Sequence, residues 1–235
     1  MPRTDNVQTL HNPTPVTIDA VTTRWPIVIF DIDGTLVDSV GLIVASYQHA
    51  FRTVLGHEED EDKIKGWIGQ SLYGSMQRAY PDQADRLFEV YTRWNEEHTT
   101  AMLTSFPGIP ELMEDLVEAG VRIGAATSKR TQPAQWALQL GQISQLVPLL
   151  VAHEDVDEHK PSPKPLLLAM VRAGGSPDRT VYVGDAVVDI AAARNAGLDC
   201  VAVTWGAGRR EDLVEAAPDV LCDSVEELRV ALLGE

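Results

Sequence analysis

From Val121 onward the chain alternates between two kinds of segment. The runs 121-VRIGAAT-127, 147-VPLLVA-152, 180-TVYVGD-185 and 199-DCVAVTW-205 are apolar nearly throughout, and helical patterns follow near 133–140, 164–173, 187–196 and 209–217. A short strand at 219-DVLC-222 and a helix at 224-SVEELRVALLG-234 close the chain. Strands with so little polar alternation are buried on both faces, and strands that alternate with helices pair in parallel. The pattern therefore predicts an α/β fold, a parallel sheet with helices on both faces. One more strand, at 26–30, precedes this region. A crossover between parallel strands needs about a dozen residues, yet roughly 90 separate this strand from the one at Val121. The excess is helical in pattern: in 42-LIVASYQHAFRTVLG-56, Ile43, Tyr47, Phe51 and Val54 recur at helical spacing before Gly56, and further helices are expected near 60–68, 71–80 and 83–102. The predicted organisation is a tail over 1–24, a core formed by 25–39 and 106–235, and an inserted all-helical domain over 40–105.

Composition narrows the function classes. The formal net charge of -16 repels nucleic acid at long range, and no basic stripe offsets it. No apolar run reaches the ~18 residues of a membrane span. The first 20 residues lack a signal-peptide core and read as a loose tail. Cys200 and Cys222 stand in apolar contexts without CxxC spacing, which predicts buried thiols and a cytoplasmic protein.

The segment 30-FDIDGTLVDS-39 places Asp31 and Asp33 directly after a buried strand. Ligands of open parallel sheets bind at the carboxyl ends of the strands. Thr127 and Asp185 occupy the same edge, and Lys160 lies in the loop after another strand. Clustered carboxylates are costly without a cation, and an all-oxygen set suits Mg²⁺. A calcium loop is excluded, because counting from Asp31 puts Leu36 and Leu42 where that loop requires Gly and Glu. The same residue types suit phosphate ester hydrolysis. Asp31 would attack phosphorus, and Asp33 would protonate the leaving alkoxide and then activate water. Mg²⁺, Lys160 and the Thr127 hydroxyl would meet the phosphoryl oxygens, with Gly34 keeping side-chain bulk out of the phosphate's way.

Four ordered motifs carry a family resemblance: DIDGTLVDS, Thr127 in 125-AATSK-129, Lys160 in 160-KPSPKPL-166 and 184-GDAVVD-189. The chain resembles the haloacid dehalogenase superfamily phosphatases, in the branch of phosphoglycolate phosphatase and β-phosphoglucomutase. The resemblance spans about residues 26–234 and implies a Rossmann-like core with a small helical cap. Asp31 then resembles the nucleophile and Asp33 the acid/base, whose backbone carbonyl also meets the metal. Asp185 resembles the remaining protein ligand to Mg²⁺, and Asp189 supports the site by holding Lys160 or a metal-bound water. Thr127, Ser128 and Lys160 resemble phosphate binders. Lys164 competes with Lys160 for that role, but the KPxP pattern aligns on Lys160. Asp33 also separates the chain from dehalogenases and phosphonatases, which lack an acid at that position.

By the same likeness, the loop 68-IGQSLYG-74 faces the phosphate, making Gly69, Gln70 and Ser71 candidates for substrate contact; the stretch reads equally as a helix–helix turn with Gly for geometry. Arg52, Lys65 and Arg78 are the nearby cations available for a second anionic group, each also readable as a solvated helix charge. The cluster from His153 to His159 lacks metal spacing and reads as an acidic loop, and 206-GAGRR-210 reads as a turn. The expected partner is a small phosphorylated metabolite, with phosphoglycolate the leading candidate. Pyrophosphate, nucleoside monophosphates and sugar phosphates are admissible, as is a phosphomutase. A phospho-Asp signalling receiver, the alternative of another class, lacks both the insertion and the second acid. The sequence leaves monomer and homodimer open.

Overall fold

The computed structural model describes residues 23–234, so almost all of the expected tail, residues 1–22, lies outside the described residues. The central sheet comprises β1 (Ile27–Phe30), β4 (Arg122–Ala126), β5 (Leu149–Val151), β6 (Thr180–Gly184), β7 (Asp199–Val203) and β8 (Val220–Cys222), all parallel. Their order is β5-β4-β1-β6-β7-β8. The chain winds outward in one direction from β1 through β4 to β5, and in the other through β6 to β8. The carboxyl end of β1 is thus the switch point, where diverging connections open a crevice.

β1 explains why the strands lack polar alternation. Val28 and Phe30 enter one apolar cluster with Leu112, Leu116, Ala137 and Leu228, whereas Ile27 and Ile29 enter another with Leu166, Ala169, Ile190 and Ala193. The first cluster lies under α5 (Ile109–Glu118), α6 (Thr131–Leu140) and α10 (Val225–Leu233). The second lies under α7 (Lys164–Arg172), α8 (Val187–Ala196) and α9 (Arg210–Glu215). Each large apolar side chain so enclosed contributes about 1.5–3 kcal/mol. Cys200 and Cys222 are free and buried within these layers.

The long connection after β1 contains α1 (Val40–Val54), α2 (Glu61–Lys65), α3 (Leu72–Ala79) and α4 (Ala84–Met102). They enclose a third apolar cluster of their own, including Tyr47, Phe51, Ile64, Met76, Leu87 and Tyr91. α2 is shorter than the expected 60–68 helix: after Gly66 the backbone turns, reaching a positive φ of 86° at Gly69. The two chain segments entering and leaving the insertion pair as a minimal antiparallel ribbon, β2 (Val37–Asp38) with β3 (Thr104–Ser105). Two residues per strand is too short for periodicity to reveal. Among the described residues, no helix is long and apolar enough to cross a membrane.

Candidate active site

Asp31 follows β1 directly, and its amide donates to Val183 O at 2.8 Å, which keeps the chain in strand register up to the carboxylate. The residue is 1% exposed. Its Oδ2 lies 3.1 Å from Lys160 Nζ, while Oδ1 is buried with no hydrogen-bond partner among the described residues. Burial pushes the Asp31 carboxyl up to about 7; Lys160 works against the rise, and Asp189 and Asp33 add to it.

Asp185 follows β6, and Asp189 stands in the first turn of α8. Asp185 Oδ1 accepts from Thr35 Oγ1 at 3.1 Å, and Oδ2 accepts from the Ala207 amide at 2.7 Å. Burial, with Asp189 and Asp31 nearby, pushes its carboxyl up to about 8. Asp189 Oδ2 accepts from the Ala186 amide at 3.1 Å. Its Oδ1 receives Lys160 Nζ at 2.6 Å and Tyr182 Oη at 3.3 Å. Burial opposes the charge of Lys160, but Asp189 and Asp31 more than compensate and hold its pKa above the ordinary lysine value.

One oxygen each from Asp31, Asp185 and Asp189 lies within 4.8 Å of the others. Three buried carboxylates thus cluster with one buried ammonium, which pairs with Asp31 and Asp189, and one of their oxygens, Asp31 Oδ1, is unmatched among the described residues. This hard-oxygen set with an uncompensated negative charge fits a small divalent cation of the Mg²⁺ type.

Asp33 is oriented differently. Ser39 Oγ donates to its Oδ1 at 2.7 Å, and Lys129 Nζ donates to both carboxylate oxygens at 2.8 Å. Its side chain therefore stands outside the acidic triad. Thr127, at the end of β4, is buried, and its Oγ1 accepts from the Lys129 amide at 3.2 Å. Ser128 Oγ donates to Gly69 O at 2.7 Å, tying the core's β4 edge to the helical insertion.

Asp31, Asp33, Thr127, Ser128, Gly69 and Gln70 all line one cavity of about 360 Å³ between the sheet edge and the insertion. Gln70 is held on both sides, donating to Gly66 O at 2.8 Å and accepting from Arg78 at 2.5 Å. Ser71 caps the start of α3, accepting from the Gly74 amide at 3.4 Å. Lys160, Asp185 and Asp189 lie beneath the cavity floor rather than on its lining.

The role of Gly34 changes on this geometry, and the outlying cations keep their reading as solvated helix charges. Gly34 has a φ of 77°, and the space beside its α-carbon belongs to Asp185, whose Oδ2 would lie 2.3 Å from an added Cβ. The close approach Gly34 permits is that of a carboxylate. Arg52, Lys65 and Arg78 all stand off the cavity lining, on Glu58, Glu61 and Gln70 respectively. Lys164 is exposed and pairs with Asp157 at 2.9 Å and Glu158 at 2.6 Å.

In the 153–159 segment, Glu154 accepts from the Thr131 amide at 2.9 Å at the start of α6, and Asp155 pairs with Arg172 at 2.8 Å. His153 stacks on His159 with ring centroids 4.0 Å apart. The turn at 206–208 buttresses the site: beyond the Ala207 bond, the Gly208 amide donates to Asp185 O at 3.1 Å. Sequence reasoning missed that role, and it missed Lys129 and Tyr182. A lysine directly after Thr127-Ser128 was the available signal for Lys129. Tyr182 gave none, because a strand tyrosine reads as core.

A family model for haloacid dehalogenase-like hydrolases matches residues 28–203. The pyrophosphatase PpaX of Bacillus mycoides is 29% identical over 201 residues, covering 86% of this chain and 94% of that protein. The structure of a haloacid dehalogenase-like family hydrolase from Streptococcus pneumoniae is similar, with a TM-score of 0.78 at 25% identity over 87% of this chain and 97% of the other. A predicted phosphoglycolate phosphatase from Haemophilus somnus shares the fold, with a TM-score of 0.77 at 24% identity over 89% of this chain and 99% of the other.

Proposed function

The chain belongs to the haloacid dehalogenase-like hydrolases, and from that premise we propose that it is a Mg²⁺-dependent phosphatase. Its substrate is a small phosphate monoester, hydrolysed through an aspartyl-phosphate on Asp31. The observation that carries this reading is Asp31 itself, a buried carboxylate at the sheet's switch point, with one oxygen on Lys160 and the other unmatched, lining a cavity.

In the first step an Asp31 oxygen bonds to phosphorus, the ester P–O bond breaks, and the leaving oxygen takes a proton from Asp33. In the second, Asp33 takes a proton from water as the water oxygen bonds to phosphorus, and the carboxylate of Asp31 departs with release of phosphate. The Thr127 hydroxyl and the Lys129 ammonium, both on the cavity lining, bind phosphoryl oxygens. Lys160 fixes the orientation of Asp31 and Asp189 from beneath. Asp31, Asp185 and Asp189 would hold Mg²⁺, which supplies charge neutralisation for the phosphoryl group. The helical insertion acts as a cap that excludes water, hinged at the two-residue ribbon of β2 and β3. Pyrophosphate hydrolysis is the second reading, favoured by the PpaX likeness.

The test is phosphate release from a panel of esters and pyrophosphate with Mg²⁺, alongside Asp31→Asn and a chelator. The expected result is turnover that both controls abolish, with a phosphoryl adduct on Asp31 detected by mass spectrometry. Turnover surviving in folded Asp31→Asn would refute the nucleophile assignment.

A further inference from the structure

The cavity above Asp31 has two unlike ends. Its core end carries Asp33, Thr127, Ser128 and Lys129. Its cap end is aromatic: Tyr47 of α1, Trp67, and Phe88 and Tyr91 of α4 line it, together with Leu72. These rings brace one another. Tyr47 lies 4.9 Å from Tyr91 and 5.5 Å from Trp67, and Tyr73, also on the lining, lies 5.7 Å from Phe88. The wall is thus a packed aromatic surface.

Charge divides the same way. Among the described residues, the lysine and arginine side chains on the lining are Lys129 and Arg130, both from the core. Lys129 is held on Asp33 at 2.8 Å and Arg130 on Glu154 at 2.9 Å. The cap contributes no lysine or arginine to the lining, and its charged group there is a carboxylate, Glu96. A substrate whose phosphoryl group reaches Asp31 therefore places its other end among rings, the uncharged polar groups Gln70, Thr92 and Asn95, and a like-signed carboxylate. A second anion there would lose hydration without gaining a counter-charge.

Accepting the phosphatase reading, we infer that the substrate is a phosphate monoester whose alcohol portion carries an uncharged aromatic or bulky apolar group and no second anionic group. The aromatic wall binds that group, and the lack of a lysine or arginine on the cap's part of the lining selects against phosphoglycolate and pyrophosphate. The cavity is large enough for a single ring beside the phosphoryl group, at the small end of ordinary ligand sites.

The experiment compares benzyl phosphate with ethyl phosphate, primary alkyl esters of similar chemistry, and both with 2-phosphoglycolate, pyrophosphate and phosphocholine. In parallel, the affinities of benzylphosphonate and ethylphosphonate are measured by calorimetry, which reads the pocket without requiring turnover. Burial of one ring predicts kcat/KM for benzyl phosphate about 10- to 100-fold above that for ethyl phosphate, and a similar ratio for the phosphonates. Phosphoglycolate and pyrophosphate are expected below both esters. Phe88→Ala is expected to lower the benzyl ester several-fold more than the ethyl ester. Leu72→Arg, which supplies a cap cation, should raise phosphoglycolate relative to benzyl phosphate, with melting curves checking that both variants fold.

Phosphoglycolate, pyrophosphate or phosphocholine outrunning benzyl phosphate would overturn the inference while leaving the phosphatase reading intact. Release from none of the compounds, together with tighter benzylphosphonate binding, would remove the phosphatase reading and support the pocket's apolar selectivity. Equal binding of the two phosphonates would overturn the inference whatever the turnover.

Discussion

Gly34→Ala tests how tightly the metal-type triad is built. At φ 77° an alanine pays the left-handed penalty, about 1–2 kcal/mol. Its Cβ would lie 2.3 Å from Asp185 Oδ2 and 2.9 Å from its Cγ, whereas real Cβ contacts stay beyond 3.0 Å. The carboxylate must therefore move by several tenths of an ångström at least, at the expense of its bonds to Thr35 Oγ1 and the Ala207 amide. Overpacking of this kind costs about 1–3 kcal/mol. Together the two penalties predict a loss of about 2–5 kcal/mol, or roughly 5–20 °C in melting temperature for a chain of this size. Because Asp185 is the group displaced, Mg²⁺ affinity should also fall by about 10-fold or more. Gly41→Ala is the control: it lies exposed in α1, and nothing stands within 4 Å of its added Cβ. There the same substitution should stabilise by about 0.5–1 kcal/mol. Urea denaturation followed by tryptophan fluorescence gives both stabilities, and calorimetric Mg²⁺ titration gives the affinity. A Gly34→Ala protein within about 0.5 kcal/mol of the parent, with unchanged Mg²⁺ affinity, would refute the reasoning.

Lys160→Met leaves Asp31 and Asp189 without their buried ammonium, and should cost about 3–5 kcal/mol at neutral pH by urea denaturation; a loss under about 1 kcal/mol would mean the pair contributes no more than a surface contact. Glu154→Gln weakens the anchor at the start of α6 and should cost about 1 kcal/mol at pH 7. Burial works to raise the Glu154 carboxyl, but bonds from Arg130 and Thr131 hold it down to about 2. A depressed carboxylate stabilises above its unfolded pKa of about 4.3 and loses that contribution as pH falls toward its folded value. The difference between parent and Glu154→Gln should therefore shrink between pH 5 and pH 2; a difference that grows there would be inconsistent with the assignment. Adding Mg²⁺ to metal-free protein should raise the melting temperature, progressively with concentration, and Asp185→Asn should blunt that rise; an equal rise in both proteins would place the ion elsewhere.

The residues proposed to carry the chemistry could be picked out in the sequence because a parallel strand ends where its ligand edge begins. Asp31, Thr127 and Asp185 each follow an apolar run, so their shared edge could be inferred without coordinates. The insertion was legible for a related reason, since no single crossover uses so many residues. Apolar stretches and their spacing also determined the two-sided burial of β1 and the helices that cover it.

Orientation was decided only by the tertiary structure. Apart from Ser39, which donates to Asp33 from six residues on, what separates Asp33, which faces Lys129, from Asp31, which faces Lys160, are partners about 100 or more residues away in sequence. The tight approach of Gly34 to Asp185, and the support of Asp185 by the turn at Ala207, likewise join segments that no pattern connects. The aromatic cap wall was invisible for a different reason. Tyr47 and Tyr91 occupy ordinary apolar positions of amphipathic helices, and only the packing of α1 against α4 above the sheet edge turns those core positions into the lining of a cavity. Residue type and spacing carry the kind of chemistry; which groups meet, and what surrounds them, is set by contacts distant in sequence that exist only once the chain has closed on itself.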